Sequence, residues 1–432
     1  MSATLEALVI GGGMITADQI LPSLYHLQRI GTLGGISVCA SRPSTVRALA
    51  DNPEIKAAFP GSSFTSWPDL SRAEGDAQPL LYRKALASLR TGQLVVVAVP
   101  DHLHHEVVMA ALRSGQHVLC AKPLALKYCH AVEIAHEAEA RGLFVGVEYH
   151  KRFDRRSLVA RAAYRAGRFG ELVMGEARLL EPHRYRSSGF QRWFTAENTD
   201  PFTYVGCHYV DLVNFITGLL PIKVSVVGVR GRFPNGHEGF FWSHARVWWD
   251  NGALLSVTNG LGYPDQAAGS NDQGMTLYCE GPNGTGMIRH DDHDRGVSYA
   301  YLDSASPGGA EQAASFRYVS PDFFQLVPWE GKGLRPVGYG FDSIQAVVEA
   351  VRGVEAASSG LPPQDAHAER RRRCVEVDRQ GLIATPSNSA AVNLVVEAGR
   401  RSILAGGSPA CIVYGHEPKV EFVKEGSEWA LT

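Results

Sequence analysis

Val95 to Pro123 reads VVVAVPDHLHHEVVMAALRSGQHVLCAKP: an apolar run ending in Val99-Pro100-Asp101, a helix over Val107 to Arg113, a second run Gln116 to Cys120, then Ala121-Lys122-Pro123. Two short apolar runs separated by a helix read as parallel neighbours in a βαβ unit, because parallel strands need a crossover of that length. Open parallel sheets bind ligands beyond the carboxyl ends of their strands. Val99, Pro100 and Lys122 therefore fall on the edge of the sheet where chemistry is done. A lone lysine beside a turn proline says little, and the flanking sequence gives it meaning.

Upstream, Leu5 to Ile10 reads as a buried parallel strand that runs straight into Gly11-Gly12-Gly13-Met14-Ile15-Thr16 and an apolar helix through Ile20, Leu21, Leu24 and Leu27. The pattern is GxGxxT. A first glycine permits the tight turn, a second lets backbone approach a pyrophosphate, and the helix start supplies N–H groups and partial positive charge. Gly11, Gly13, Met14 and Ile15 are thus read as dinucleotide-binding residues. The next strand, Gly35 to Ala40, ends in Ser41-Arg42-Pro43 where an NAD-specific chain would place a ribose-binding acid. A hydroxyl and a guanidinium in place of that acid favour NADP, with NAD the alternative. Between Phe59 and Arg90 the sequence loosens into a surface excursion with a helix over Leu80 to Leu89. A helix over Tyr128 to Arg141 and a strand over Leu143 to Tyr149 follow. Repeated strand-helix alternation predicts an α/β fold with a doubly wound parallel sheet.

Composition sets the outer limits. The chain has 432 residues, 45% of them hydrophobic, with Lys+Arg 42 against Asp+Glu 44 and a formal charge of -2. That near-neutral balance gives no field for nucleic acid or an anionic membrane. The seven cysteines are scattered and never in CxxC spacing, which argues against a disulfide framework and fits a reducing cytoplasm. The N-terminus lacks a basic region followed by an apolar one, and no apolar run reaches bilayer length, so neither a signal peptide nor a membrane span is expected.

The glycine turn, Pro100-Asp101-His102-Leu103-His104, His117 to Pro123, Gly146 to Asp154 and Thr203 to Asp211 together resemble the Gfo/Idh/MocA oxidoreductase family. The resemblance implies a Rossmann dinucleotide-binding domain over residues 1–150. It implies a C-terminal α/β domain over residues 151–432, built on a large, mostly antiparallel open-faced sheet. Two positions depart from the family's habit: Ala121 stands where glutamate usually precedes lysine-proline, and Tyr204 where an aspartate usually lies four residues before the histidine.

Oxidising a secondary alcohol requires a hydride acceptor over the carbinol carbon and a base for the hydroxyl proton; the reverse reaction requires the same group as acid. Histidine titrates near neutrality, and lysine serves when its surroundings favour the neutral amine. The resemblance assigns His208 as proton donor or acceptor and Lys122 as the partner that orients and polarises the hydroxyl, with Lys122 also beside the cofactor. His208 reads as part of a helix whose apolar face is Val205, Tyr209, Leu212 and Phe215. Tyr204, one α-helical turn earlier, would share its face and hydrogen-bond substrate in place of the missing carboxylate, or else be a core aromatic. Glu148, His150 and Arg152 follow a strand's carboxyl end and are read as substrate contacts, as are Arg184 and Trp193 in a polar-aromatic loop that also holds His183, Tyr185, Arg186, Gln191 and Arg192. His104 is read as capping or packing on the cofactor edge.

Farther on, Lys223 to Arg230, His244 to Trp249, Ala253 to Thr258, Met275 to Cys279 and Gly286 to Arg289 are β-branched or aromatic runs divided by Asn-Gly turns, as antiparallel strands are. Helices return at Phe341 to Ala357 and Ser389 to Leu404. A large sheet with one free face predicts a homodimer or homotetramer. The cluster His290 to Asp294 reads as a solvated hairpin connection and not a metal site, and Arg370 to Arg373 as a solvated helix face or subunit contact. The reading is an NAD(P)-dependent dehydrogenase or reductase of a sugar, polyol or glycoside. An enzyme that retains its nicotinamide for epimerisation, glycoside cleavage or sugar-sugar hydride exchange is the alternative, and a silent dinucleotide or sugar sensor a third.

Overall fold

Ala7–Ile10 (β1) is apolar and buried at every position, as a strand covered on both faces must be. The computed structural model describes residues 4–267, 271–282, 284–291, 297–302, 314–319 and 322–422, with strand pairing alone for 297–302 and 314–319. After β1 come α1 (Leu21–Arg29), β2 (Ile36–Cys39), α2 (Pro43–Ala50), α3 (Pro53–Ala58), β3 (Thr65–Trp67), α4 (Leu81–Ala87), β4 (Leu94–Val97), α5 (His104–Arg113), β5 (His117–Cys120), α6 (Tyr128–Arg141) and β6 (Val145–Val147). The sheet order is β3-β2-β1-β4-β5-β6 and every pairing is parallel. Chain order reverses between β1 and β4, which opens a crevice at their carboxyl ends. β3 lies within what sequence reads as a surface excursion. It is three residues long on a half-exposed edge, too short to show a period.

The second sheet is built from α7 (Arg155–Arg165), β7 (Glu171–Pro182), α8 (Cys207–Thr217), β8 (Pro221–Arg232), β9 (Glu238–Trp249), β10 (Leu254–Tyr263), β11 (Asp272–Gly281) and β12 (Gly284–Asp291). A separate ribbon pairs β13 (Val297–Leu302) with β14 (Ala314–Val319), and another pairs β15 (Gln325–Pro328) with β16 (Leu334–Val337). Then follow α9 (Tyr339–Ser358), α10 (Pro363–Gln380), α11 (Ala390–Leu404), β17 (Ala410–Val413) and β18 (Lys419–Phe422). The eight strands run β12-β11-β7-β10-β9-β8-β17-β18, all antiparallel except the β7–β10 pair. This is the mixed, mostly antiparallel sheet expected beside a Rossmann fold.

Val224, Val226, Ala245, Val247, Trp249, Leu255, Val257 and Leu277 form its buried face. The other face carries exposed side chains among the described residues. One cross-strand row on it reads Met287–Tyr278–Met174–Leu254–Trp248–Lys223 from β12 to β8. Met287, Tyr278 and Met174 are exposed, as are Val227 and Val229 on the same face of β8.

The chain divides into two compact units, residues 1–154 with 326–394, and residues 155–325 with 395–432. In the first, the returning segment is tied to the Rossmann core by polar contacts. Arg29 lies over the Trp329 ring at 3.9 Å and the Phe59 ring at 5.1 Å. His117 is fully buried: its Nδ1 accepts the Phe144 N–H at 2.9 Å, which fixes the proton on Nε2 facing Glu355 at 2.9 Å. Burial alone would raise the Glu355 carboxyl, but His117 and Arg370 beside it hold it below its ordinary range. The run Arg370 to Arg373 is spent inside the molecule, on Glu355, Glu139, Glu369 and Glu376. α10 buries no residue, so it has no apolar stripe for a sequence pattern to reveal.

Candidate active site

Gly11 has φ +114°, and a Cβ there would lie 2.1 Å from the Ala98 carbonyl oxygen. Only glycine lets the end of β1 come this close to the end of β4. Thr16, standing where the third glycine of the dinucleotide pattern falls, donates its hydroxyl to the Gly11 carbonyl at 2.8 Å and is buried. It closes the loop from inside. A Cβ on Gly13 would meet nothing within 4 Å, and Met14 beside it is exposed. The loop's outer surface is thus an open cradle at a helix start, with the shape and donors a pyrophosphate needs. Residues Thr16–Ile20 continue as a π-helix before α1.

At the end of β2, Ser41 is exposed and Arg42 half-buried, with Arg42 Nη1 donating to the Gly75 carbonyl at 3.3 Å.

His104 is fully buried, with Nδ1 2.6 Å from the Pro123 carbonyl oxygen and Nε2 2.9 Å from that of Val99. It ties the carboxyl ends of β4 and β5 together. Because both ring nitrogens face protein carbonyls, His104 braces the Val99-Pro100 and Lys122-Pro123 segments. Lys122 is half-buried at that edge.

Glu148, Gln19 and Ser343 form a buried polar knot. Glu148 Oε1 accepts from Gln19 Nε2 at 3.0 Å and from Ser343 Oγ at 2.7 Å. His150 Nδ1 is 3.8 Å away, and its ring stacks on Tyr339 at 5.6 Å. Arg152 is buried and donates to Asn388 Oδ1 at 2.9 Å. The side chains of Glu148 and Arg152, read from sequence as substrate contacts, are thus engaged with protein partners. Gln19, Ser343 and Asn388 carry no motif that would have flagged them.

Burial pushes the Glu148 carboxyl up to about 7, although its two hydrogen bonds favour the charged form. A folded value above the unfolded one means that the native state holds the proton more tightly. The associated stability is complete below the unfolded value of 4.5 and is lost as pH rises through about 7. Glu148→Gln keeps an acceptor for both donors and cannot ionise. At pH 8 it should be more stable than the parent by about 3 kcal/mol, and at pH 4.5 close to equal. Urea denaturation at the two pH values measures this, and a parallel pH dependence in both proteins would reject it.

In the second unit, Phe202–Gly206 is a π-helix that leads into α8. Sequence places Tyr204 and His208 one α-turn apart on a common face. The wider π turn changes that register. Tyr204 is half-buried against aromatic rings, with centroids 5.4 Å from Phe190, 5.7 Å from Trp193 and 5.5 Å from Phe194. His208 is 4% exposed on the first turn of α8. A Cβ on Gly206 would lie 2.5 Å from Asn259 Oδ1 and 2.7 Å from the Phe202 ring, so glycine is required where this helix passes β10. The π-helix is capped by Asp200, which accepts the Thr203 N–H at 2.9 Å and the Thr203 hydroxyl at 2.8 Å. Arg400 donates to Asp200 at 3.0 Å and to the carbonyls of Ala196 and Glu197 at 2.9 and 2.8 Å. Trp193 belongs to the aromatic cluster, whereas Arg184 is exposed and lies 3.6 Å from Asp265. His290 and Asp291 end β12; Asp292, His293 and Asp294 lie outside the described residues.

Residues 5–149 match a family model described as an oxidoreductase family with an NAD-binding Rossmann fold, and residues 158–281 match the GFO/IDH/MocA C-terminal domain. An uncharacterized oxidoreductase of Schizosaccharomyces pombe is 39% identical over 23% of this chain and 27% of its own. The D-glucoside 3-dehydrogenase of Escherichia coli is 26% identical over 51% of this chain and 56% of its own. The chain thus spans between about a quarter and a little over half the length of these curated relatives. Among solved structures, the myo-inositol 2-dehydrogenase of Lactobacillus plantarum superposes with a TM-score of 0.58 at 15% identity, covering 98% of this chain and all of that one. The scyllo-inositol dehydrogenase of Lactobacillus casei, with bound NAD(H) and scyllo-inositol, gives 0.55 at 14%, covering 95% and 99%. At such identities the likeness establishes the fold.

Proposed function

This chain belongs to the Gfo/Idh/MocA oxidoreductase family, and on that premise we propose that it moves hydride between NAD(P) and a secondary alcohol or ketone of a sugar, polyol or glycoside. The observation that carries the reading is the open glycine cradle at the same sheet edge as Lys122, whose segment His104 ties to the end of β4. Bound there, a nicotinamide would supply the hydride acceptor. Gly11, Gly13, Met14 and Ile15 would hold its pyrophosphate, while Ser41 and Arg42 would meet the adenosine ribose and favour NADP.

His208 takes or returns the hydroxyl proton, Lys122 polarises the reacting oxygen, and Tyr204 offers an uncharged hydroxyl in place of the family's usual carboxylate. His150 and Trp193 contact the substrate; Glu148 braces the strand end. The relatives act on inositols and a D-glucoside, which makes cyclic polyols and glycosides the substrates to try first. Residues 1–150 serve the cofactor and residues 151–432 the substrate and subunit contacts. The test is the reduced-nicotinamide absorbance of the purified chain across a panel of such compounds with either cofactor. Turnover of at least one is expected; dinucleotide binding with none turned over would sink the dehydrogenase and leave a sensor.

A second copy covering the open sheet face is also part of this reading. The row from Met287 to Trp248 gives a continuous apolar ridge, and Lys223 Nζ closes its end 4.3 Å from the Trp248 ring. Light scattering at micromolar concentration should give two or four chain masses, and a single chain mass would refute it. No helix among the described residues is long and apolar enough to cross a membrane. A cytoplasmic setting completes the proposal.

A further inference from the structure

Beside the ribose-facing end of β2, the first turn of α2 already holds an anion. Glu74 Oε2 accepts the Ser44 N–H at 3.0 Å and Glu74 Oε1 the Ser44 hydroxyl at 3.0 Å. Arg47 Nη2 donates to Glu74 Oε2 at 2.7 Å. A helix-start amide, a hydroxyl and a guanidinium are the donors that phosphates take. Here the chain's own carboxylate fills them. The loop bearing Glu74 is fastened to the same strand end: Arg42 Nη1 donates to the Gly75 carbonyl at 3.3 Å, Arg47 Nη1 to the Arg72 carbonyl at 2.7 Å, and the Gln78 N–H to the Ser41 carbonyl at 2.7 Å.

We propose that Glu74 is a built-in competitor of the NADP(H) 2′-phosphate, an acidic latch that the phosphate must displace from Ser44 and Arg47. The proposal rests on the reading that the end of β2 receives the adenosine ribose. Ser41 and Arg42 invite a 2′-phosphate, and Glu74, brought to the same strand end by its loop, repels it. The latch therefore sets how far this chain prefers one dinucleotide over the other. A cofactor without the phosphate leaves Glu74 in place. Arg42 and Arg47 each have one foot on the latch loop, so a phosphate that recruits Arg42 also loosens the loop that Arg47 holds. Sequence shows only Ser41 and Arg42; Glu74 lies about thirty residues on, in the surface excursion.

The test uses the full chain and two probes, 2′,5′-ADP and 5′-AMP, titrated calorimetrically into the parent and into Glu74→Gln. Glutamine keeps the size of the side chain and removes its charge. Affinity for 2′,5′-ADP should rise about tenfold or more, with 5′-AMP unchanged within about twofold. Because the effect is one of surface charge, the gain should shrink in molar salt. Retained 5′-AMP binding with unchanged or weakened 2′,5′-ADP binding overturns the latch, as does an equal gain for both probes. If neither probe binds parent or variant, the ribose-site reading itself fails and the latch with it.

Discussion

Arg400→Met is expected to cost roughly 3–5 kcal/mol of folding stability. The Arg400 and Asp200 side chains are 8% and 0% exposed, so the pair is shut away from water. Methionine removes three donated hydrogen bonds at once. It leaves the Asp200 carboxylate buried with Thr203 alone, and strips a donor from the carbonyls of Ala196 and Glu197. The cost is the uncompensated charge more than the lost attraction. Asp200→Asn with Arg400→Met should therefore be less damaging than the sum of the single changes, since the neutral amide needs no counter-charge. Denaturant midpoints of the four proteins decide the matter, and strict additivity would show the pair to be uncoupled. Asp200 also caps the π-helix that precedes His208, so the loss should fall first on the segment that carries the proposed acid–base group.

The parts of this molecule that sequence discloses are those repeated locally. β1 and β4 are uniformly apolar, β5 is apolar after His117, and the 14-residue helix Tyr128–Arg141 lies where the sequence pattern expects one. In the second sheet the alternation of buried and exposed residues, as in β9, marks each strand where Asn-Gly turns separate them. The glycine cradle is legible because its residues are contiguous. What stays hidden is held by partners far apart in the chain. Asp200 and Arg400 are 200 positions apart, Glu148 and Ser343 are 195 apart, and His117 and Glu355 are 238 apart. Asp200, Arg400, Ser343 and Glu355 read locally as ordinary polar residues, Glu148 reads as a substrate contact and His117 as part of a motif, and for none does the sequence show the partner that burial gives it. The π-helix before α8 is hidden for another reason. Val205, Tyr209 and Leu212 all lie buried, as an α-helical face requires, so the apolar pattern is silent about a widened turn.

Lys122→Met should lower kcat by about 10²–10³-fold, the range that removing one preorganised donor to the reacting oxygen costs, while leaving dinucleotide affinity within a few-fold. Methionine keeps an unbranched, half-buried side chain at the end of β5 and deletes the ammonium. The segment itself should hold, since His104 clasps the Pro123 carbonyl and Ala121 N–H pairs with the Val97 carbonyl at 2.9 Å. A rate loss then reports on the lysine and not on a collapsed strand end. The adjacent Ala121 sharpens the expectation: it stands where the family resemblance expects a glutamate, so on the proposed function the amine would polarise the substrate oxygen without a neighbouring carboxylate in the sequence. His208 would still handle the proton in the variant, so the residual rate should keep a pH dependence. Restoring charge with Lys122→Arg should recover little, because a planar, delocalised guanidinium does not put the compact charge of the ammonium in the same place. Unimpaired hydride transfer by Lys122→Met, with cofactor affinity unchanged, would move the catalytic assignment off this strand end altogether.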